Sequence, residues 1–174
     1  MDYLQKLIDT ARREAYVLGV KIVRGAYIEK ENKRALKLGY PTPINPTKQK
    51  TDNDYNEAMK LILSNIDNVE LCAGTHNEES CRVVMAEMQQ RGIANNHPGV
   101  WFSQLYGMSD HISYNLAAAG YHVSKYLPYG PVRSTIPYLV RRAQENTAIA
   151  GQMGKELVLI EQEIKRRKDF KIKG

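Results

Sequence analysis

The amino-acid sequence predicts an α/β fold in which short parallel strands alternate with helices. Four short apolar segments have the composition of strands. Each of them is followed by residues whose apolar members recur at helical spacing. Strands that alternate with helices in this way pair in parallel within one sheet.

The first part of the chain contains one strand between helical segments. An apolar stripe predicts a helix over Asp2–Val17, and the β-branched run Val20–Val23 predicts the first strand. A charged helical stretch then continues to Leu38. Three prolines within Tyr40–Thr47 predict a loop, and the apolar spacing after Thr51 predicts the next helix.

The rest of the chain repeats the strand and helix pattern three times. In chain order, the predicted elements are the strand Val69–Gly74, a helix that ends near Arg91, a strand that begins at Val100 and ends near Gln104–Gly107, the helix Asp110–Ala119, the strand His122–Leu127, the helix Ser134–Ala148 and, after a Gly-Gln-Met-Gly break, the helix Lys155–Lys168.

Four strand–helix units correspond to half of a (β/α)8 TIM barrel, since a complete barrel takes about 250 residues. An open doubly wound sheet is the structural alternative. Such a sheet carries a G-x-G-x-x-G turn after its first strand, which residues 24–27 do not match. Periodicity alone leaves both architectures open. Residues 1–150 hold the strand–helix units, and residues 151–174 form a C-terminal helix with a basic tail.

The net charge of +6 does not indicate a nucleic-acid-binding surface. Residues 165–174 hold six basic side chains and one acidic one, so nearly all of the excess charge belongs to this tail. The histidines and cysteines show no metal-ligand spacing, and we predict no metal site.

Polar and aromatic residues follow the predicted strands. Barrel enzymes place their active sites at the carboxyl ends of the strands, where such side chains converge. His76 has polar neighbours on both sides in the sequence. It could act as a general base or as a hydrogen-bonding group for a phosphate or a ribose. The strand-end residues are Arg24, Tyr27, Thr75, His76, Gln104 and Tyr126.

The helix after the fourth strand has a polar stripe. Tyr138, Arg141, Arg142 and Glu145 stand at i, i+3, i+4 and i+7 and share one face. Adjacent guanidinium groups beside a ring suit a carboxylate ligand with an apolar body. A solvated face with a surface ion pair is the simpler interpretation of these residues alone.

At these positions the chain resembles the proline dehydrogenases, in the monofunctional, eukaryote-like branch of that family. The resemblance extends from about Val20 to Asn146, with the motifs in order. The segments that carry it are Lys21–Tyr27, Gly39–Thr47, Thr75–Asn77, Gln104–Met108, Lys125–Pro131 and the highly specific Tyr138–Asn146.

The resemblance implies the C-terminal half of a (β/α)8 barrel that binds FAD at its mouth and oxidises L-proline to 1-pyrroline-5-carboxylate. Electrons would then pass to a quinone. A eukaryotic protein would work at the mitochondrial inner membrane, and a bacterial one in the cytoplasm or at the membrane periphery. The basic tail would favour contact with an acidic membrane.

The resemblance also implies roles for single residues. Arg141 and Arg142 would hold the substrate carboxylate, and the other substrate-pocket residues would be Tyr27, Leu105, Tyr126 and Tyr138. The flavin would be lined by Lys21, Val23, Gly25, Ala26, Lys48, Thr75, His76, Gln104, Arg142 and Glu145.

Two departures from the family pattern shape our expectations. Lys21 stands where the bacterial branch has an arginine, so flavin tuning would differ. The first four strand–helix units of the barrel are absent, and we expect the isolated chain to be inactive without the missing N-terminal half or a second copy. A hydroxyproline dehydrogenase and a non-catalytic half-barrel binding module are the alternative functions.

Overall fold

The structure, a computed structural model, follows the predicted alternation of strands and helices. It describes the backbone of residues 2–148 and 152–172 and the side chains of residues 2–142 and 158–168. The chain forms two compact units, Met1–Lys125 and Tyr126–Gly174.

The first unit contains the sheet, whose last strand ends at the first residue of the second unit. Its elements are α1 (Asp2–Arg13), β1 (Leu18–Ile22), α2 (Ile28–Leu38), α3 (Lys48–Leu63), β2 (Val69–Gly74), α4 (Glu78–Gln90), β3 (Val100–Leu105), α5 (Asp110–Ala118) and β4 (His122–Tyr126). The second unit contains α6 (Val132–Ala148) and α7 (Gln152–Ile172).

The four strands form one parallel sheet in the order β1-β2-β3-β4. Val20 pairs with Leu71, and Leu71 pairs with Val100, so the strands are in sequence order across the sheet. The carboxyl ends of the strands therefore lie along one edge, and the predicted parallel α/β sheet is confirmed.

One face of the sheet carries the hydrophobic core. Because side chains alternate across a strand, Val69, Leu71 and Ala73 of β2 are buried on the same face. They cluster with Phe102 of β3 and with helix residues Ile8, Tyr55, Met59, Ile62, Cys81, Val84, Met88, Ile112 and Leu116.

The other face of the sheet is open within the described part of the chain. Its residues include Gly19 and Lys21 of β1, Glu70 of β2 and Trp101 of β3, all of which are exposed. Trp101 is 40% exposed and stacks on His122 with a ring-centroid distance of 4.8 Å. Most of these exposed residues lie towards the amino ends of their strands, and nearer the carboxyl ends of β2 and β3 the same face is more covered, with Ser103 only 6% exposed.

Several helix boundaries differ from the sequence prediction. Helix α3 begins three residues before Thr51, because the Thr47 side chain accepts a hydrogen bond from the Lys50 amide and caps the helix. Helix α1 ends at Arg13 instead of Val17, and Ala15 has a left-handed φ of 56° there.

The predicted break before the last helix is wrong for Gln152, Met153 and Gly154. All three lie inside α7. A glycine inside a helix costs only about 1 kcal/mol relative to alanine, which neighbouring residues of good helix propensity offset. In the part of the chain that the structure describes, no helix has the combined length and apolar character that crossing a bilayer requires.

Candidate active site

A half-buried ion pair lies where β1 and β2 end. The Arg24 Nη1 atom is 2.6 Å from Asp52 Oδ1, and the two side chains are 15% and 19% exposed. Lys48 Nζ contacts the other oxygen of the same carboxylate at 2.5 Å. Asp52 therefore accepts from two cations, one from the end of β1 and one from the first turn of α3.

Thr75 connects this ion pair to the end of β2. Its hydroxyl oxygen accepts a hydrogen bond from Arg24 Nη2 at 3.1 Å and another from the Asn77 amide at 3.1 Å. The same guanidinium lies 4.7 Å from the centre of the Tyr55 ring. Burial raises the pKa of Tyr55 above its ordinary value, against the opposing effect of Arg24, so its hydroxyl stays protonated.

Gln104 continues the polar network under β3. It is 1% exposed, donates to the Thr75 carbonyl at 3.2 Å and accepts from the Ser113 hydroxyl at 2.9 Å. Both ends of its amide are thus satisfied inside the protein, as a buried amide requires. The predicted cofactor-binding residue Gln104 lies beneath the strand ends, where it fixes the Thr75 backbone.

His76 also bonds to its protein neighbours. Its Nε2 atom accepts from the Leu105 amide at 3.4 Å, and its Nδ1 atom lies 2.9 Å from the Ser109 hydroxyl. The Leu105 amide can only donate, so Nε2 is the acceptor in this hydrogen bond. This arrangement holds the ring between β3 and the start of α5.

Lys125 of β4 fixes the loop that follows β3. Its ammonium donates to the Met108 carbonyl at 2.6 Å and pairs with Asp110 at 2.6 Å. The loop includes Gly107 and Ser109, which have positive φ values of 77° and 52°. The partly buried cation offsets part of the cost of this backbone conformation.

The residues predicted to line a flavin after β1 have mixed positions. Lys21 and Val23 are exposed at the strand end, and Gly25 follows with a φ of 76°. Ala26 is half-buried. Tyr27, a predicted pocket residue, precedes the first residue of α2 with a left-handed φ of 58° and is 70% exposed.

The second unit brings three of the predicted substrate-pocket residues together. The rings of Tyr126 and Tyr138 meet edge to face with centroids 6.1 Å apart. The Arg142 guanidinium lies 5.4 Å from the centre of the Tyr138 ring. Arg141 is exposed on the same helix, and the side chain of Glu145 lies outside the described residues.

Sequence reasoning missed Asp52 and Lys125 as parts of the site. The predicted helix start at Thr51 places the Asp52 carboxylate in a first turn, where the helix dipole explains it, whereas Asp52 is the fifth residue of α3 in the structure. Lys125 is a cation within a strand, which is uncommon unless it is paired. Each residue carries a signal, but neither signal identifies the partner.

A parallel sheet in sequence order, with polar side chains at the carboxyl ends of its strands, is the arrangement on which (β/α)-barrel enzymes build their active sites. The family profile described as "Proline dehydrogenase" matches residues 1–155. The chain belongs to the proline dehydrogenase family.

Individual relatives agree with this assignment. The chain is 39% identical over 170 residues to "Proline dehydrogenase 1, mitochondrial" of Drosophila melanogaster, in a match that covers 92% of this chain and 25% of the relative. It is 43% identical over 164 residues to the "Hydroxyproline dehydrogenase" of Xenopus laevis, covering 92% of this chain and 35% of the relative. The chain thus spans about a quarter to a third of the length of these relatives.

A solved structure supports the half-barrel assignment. Proline utilization A from Bdellovibrio bacteriovorus, inactivated by N-propargylglycine, is 29% identical to this chain with a TM-score of 0.78. The match covers 84% of this chain and 15% of that protein. The fold is accordingly part of a TIM barrel, as predicted.

The family implies a flavin cofactor in general terms, and the residues after β1 fit one chemically. A flavin ring is flat and apolar, with hydrogen-bond acceptors along its edge. Val23 offers an exposed apolar surface, Lys21 a cation, and no atom lies within 4 Å of where a side chain on Gly25 would begin. These features suit the close approach of a large planar group.

Proposed function

We propose that this chain forms the C-terminal half of a barrel that oxidises L-proline to 1-pyrroline-5-carboxylate with FAD. The observation that carries the proposal is the Tyr126, Tyr138 and Arg142 cluster, which combines two aromatic faces with a guanidinium. Such a cluster suits a small apolar ring that bears a carboxylate. We retain residues 1–150 as the barrel half and residues 151–174 as a C-terminal helix with a basic tail.

The proposed role of the second unit is to bind and orient the substrate. Arg141 and Arg142 hold the carboxylate through their planar forks, which fix its direction as well as its position. Tyr126 and Tyr138 pack against the pyrrolidine ring. A fixed orientation favours the reaction, because the reacting carbon must meet the cofactor in a near-attack position.

The proposed role of the strand-end residues is to hold the flavin. Removal of hydride from the carbon beside the ring nitrogen needs an electron-pair acceptor, and bound FAD supplies it. The flavin is lined by residues at the end of β1 and just after it, namely Lys21, Val23, Gly25 and Ala26. The remaining proposed contacts are Lys48, Thr75, His76, Arg142 and Glu145, with Tyr27 and Leu105 closing the substrate side. Gln104 takes part in cofactor binding by holding the Thr75 backbone from beneath.

The network around Arg24 supports this role because it fixes the strand ends before any ligand binds. Asp52, Arg24, Thr75 and Gln104 are joined by hydrogen bonds across the carboxyl ends of β1, β2 and β3. A site of this kind needs little reorganisation when the cofactor enters.

The partners in this proposal are the missing N-terminal half of the barrel and a quinone that receives the electrons. The open sheet face, with Lys21, Glu70 and Trp101 exposed, supports the need for a further half. Several relatives are named mitochondrial. A mitochondrial inner-membrane location is therefore proposed for a eukaryotic source, and a cytoplasmic or membrane-peripheral one for a bacterial source.

Hydroxyproline is the second candidate substrate, because the 43% identical relative from Xenopus laevis is a hydroxyproline dehydrogenase. Comparison of kcat/KM for the two substrates on one flavin-loaded preparation discriminates them.

The proposal is tested by the visible spectrum of the flavin during anaerobic addition of L-proline. We expect bleaching near the flavin absorption bands when the chain is combined with a complementary N-terminal half, and none with the isolated chain. Steady turnover by the isolated chain would refute the need for the other half. A complete, flavin-loaded barrel whose spectrum does not respond to proline would refute the substrate and favour a binding module.

A further inference from the structure

Gly74 is the last residue of β2 and lies on the open face of the sheet. The preceding residue, Ala73, pairs with Ile22 of β1, so Gly74 stands beside the end of β1. Its φ does not lie in the left-handed region, and an alanine could adopt the same backbone conformation. Backbone freedom therefore does not explain the glycine.

The space above Gly74 is filled by its neighbours on β1 and just after it. A Cβ atom added at Gly74 would stand 2.8 Å from Val23 Cγ1, 3.0 Å from the Ile22 carbonyl oxygen and 3.2 Å from Lys21 Cε. Carbon atoms in ordinary contact are about 3.5–4.0 Å apart. The missing side chain thus leaves the room that the Lys21 stem and Val23 occupy.

Gly19 provides the comparison on the neighbouring strand. It also lies on the open face, without a left-handed φ, and a Cβ there would meet nothing within 4 Å. The close approach is therefore a property of the position of Gly74 and is not shared by every glycine of this face.

We infer that Gly74 is a positioning residue, which sets where Lys21 and Val23 stand at the end of β1. This inference rests on the proposed function, in which those two side chains line the flavin. An alanine at position 74 displaces both side chains, because the third neighbour is a backbone carbonyl within the paired strand. The displaced Lys21 ammonium and Val23 side chain then make weaker contacts with the cofactor.

The first test needs no flavin. The Lys21 Cε resonance of the full chain, assigned by its loss in Lys21→Arg, is compared between wild type, Gly74→Ala and the matched control Gly19→Ala. We expect a shift in Gly74→Ala only, with far-UV circular dichroism unchanged in both variants. An unmoved Lys21 resonance in Gly74→Ala, or an equal shift in Gly19→Ala, would overturn the inference.

The second test uses FAD with the chain and its complementary half. Gly74→Ala should weaken flavin binding at least about fivefold and shift the flavin absorption spectrum, as an overpacked contact does. The further change Val23→Ala removes the closest clashing atom and should return the Lys21 resonance towards its wild-type position. Equal binding by Gly74→Ala and wild type would overturn the inference. Failure of the wild type to bind FAD would instead refute the proposed function, and the resonance test would still decide the role of Gly74.

Discussion

Replacing Arg24 with methionine removes the centre of the polar network while keeping an unbranched side chain of similar length. The carboxylate of Asp52 keeps Lys48 as a partner, so the cost stays below the about 3–5 kcal/mol of an uncompensated buried charge. Loss of the bond to Thr75 costs about 1 kcal/mol. The contact with the Tyr55 ring adds about 0.5–1 kcal/mol.

The weakened ion pair with Asp52 adds about 0.5–1 kcal/mol, because Lys48 remains as a partner. Together these terms predict that Arg24→Met lowers the free energy of unfolding by about 2–3 kcal/mol. For a chain of this size the unfolding midpoint should fall by about 5–10 °C. Thermal unfolding followed by circular dichroism measures this change. A double-mutant cycle with Asp52→Asn should give a coupling of about 1 kcal/mol or more, since the two side chains are in direct contact.

Arg82→Met is the matched control, because Arg82 pairs with Glu78 on the exposed surface of α4. We expect no resolvable change in its unfolding midpoint, since exposed ion pairs contribute little. Equal midpoints for Arg24→Met and Arg82→Met would refute the claim that the strand-end pair stabilises the fold.

Three further predictions concern other parts of the molecule. Burial raises the pKa of the Cys81 thiol to about 12, so its reaction with a disulfide reagent at pH 8 should require unfolding. The free energy of unfolding should also fall as the pH rises from the ordinary thiol pKa of 9.0 towards 12, because only the unfolded state then loses the proton. Lys125→Met should destabilise the first unit by about 1–2 kcal/mol in urea unfolding, because two hydrogen-bonding partners lose their cation; no change would contradict its role in fixing the loop. Arg142→Lys should lower kcat/KM for proline by about 10-fold or more in the complete barrel, because lysine lacks the planar fork; an unchanged value would remove Arg142 from the proposed carboxylate clamp.

The alternation of strands and helices was predictable because each element carries its own local pattern. The strand Val69–Gly74 was predicted with its observed bounds, since its apolar residues are bounded by a glycine and by polar residues. The start of α3 was not predicted, because it depends on a hydrogen bond that the Thr47 side chain accepts from the Lys50 amide. Boundaries that are set by one capping bond have a weak sequence signal.

The strand-end residues were predictable as a group, but their contacts were not. Arg24 and Asp52 are 28 positions apart, and no periodicity relates them. The tertiary fold brings them together by pairing β1 with β2 and by starting α3 beside that edge. The sequence pattern predicted that Gln104 lies near the end of a strand, as it does in β3. Its burial beneath that end was not predictable, because it depends on the tertiary contact with Ser113.

The open face of the sheet also gives the molecule an internal optical probe. Trp101 is the single tryptophan of the chain, and it stands on that face stacked against His122. Indole emission moves to shorter wavelength when water is displaced from the ring. Whatever covers this face, whether the complementary half-barrel or a second copy of the chain, will therefore change the tryptophan fluorescence without any added label.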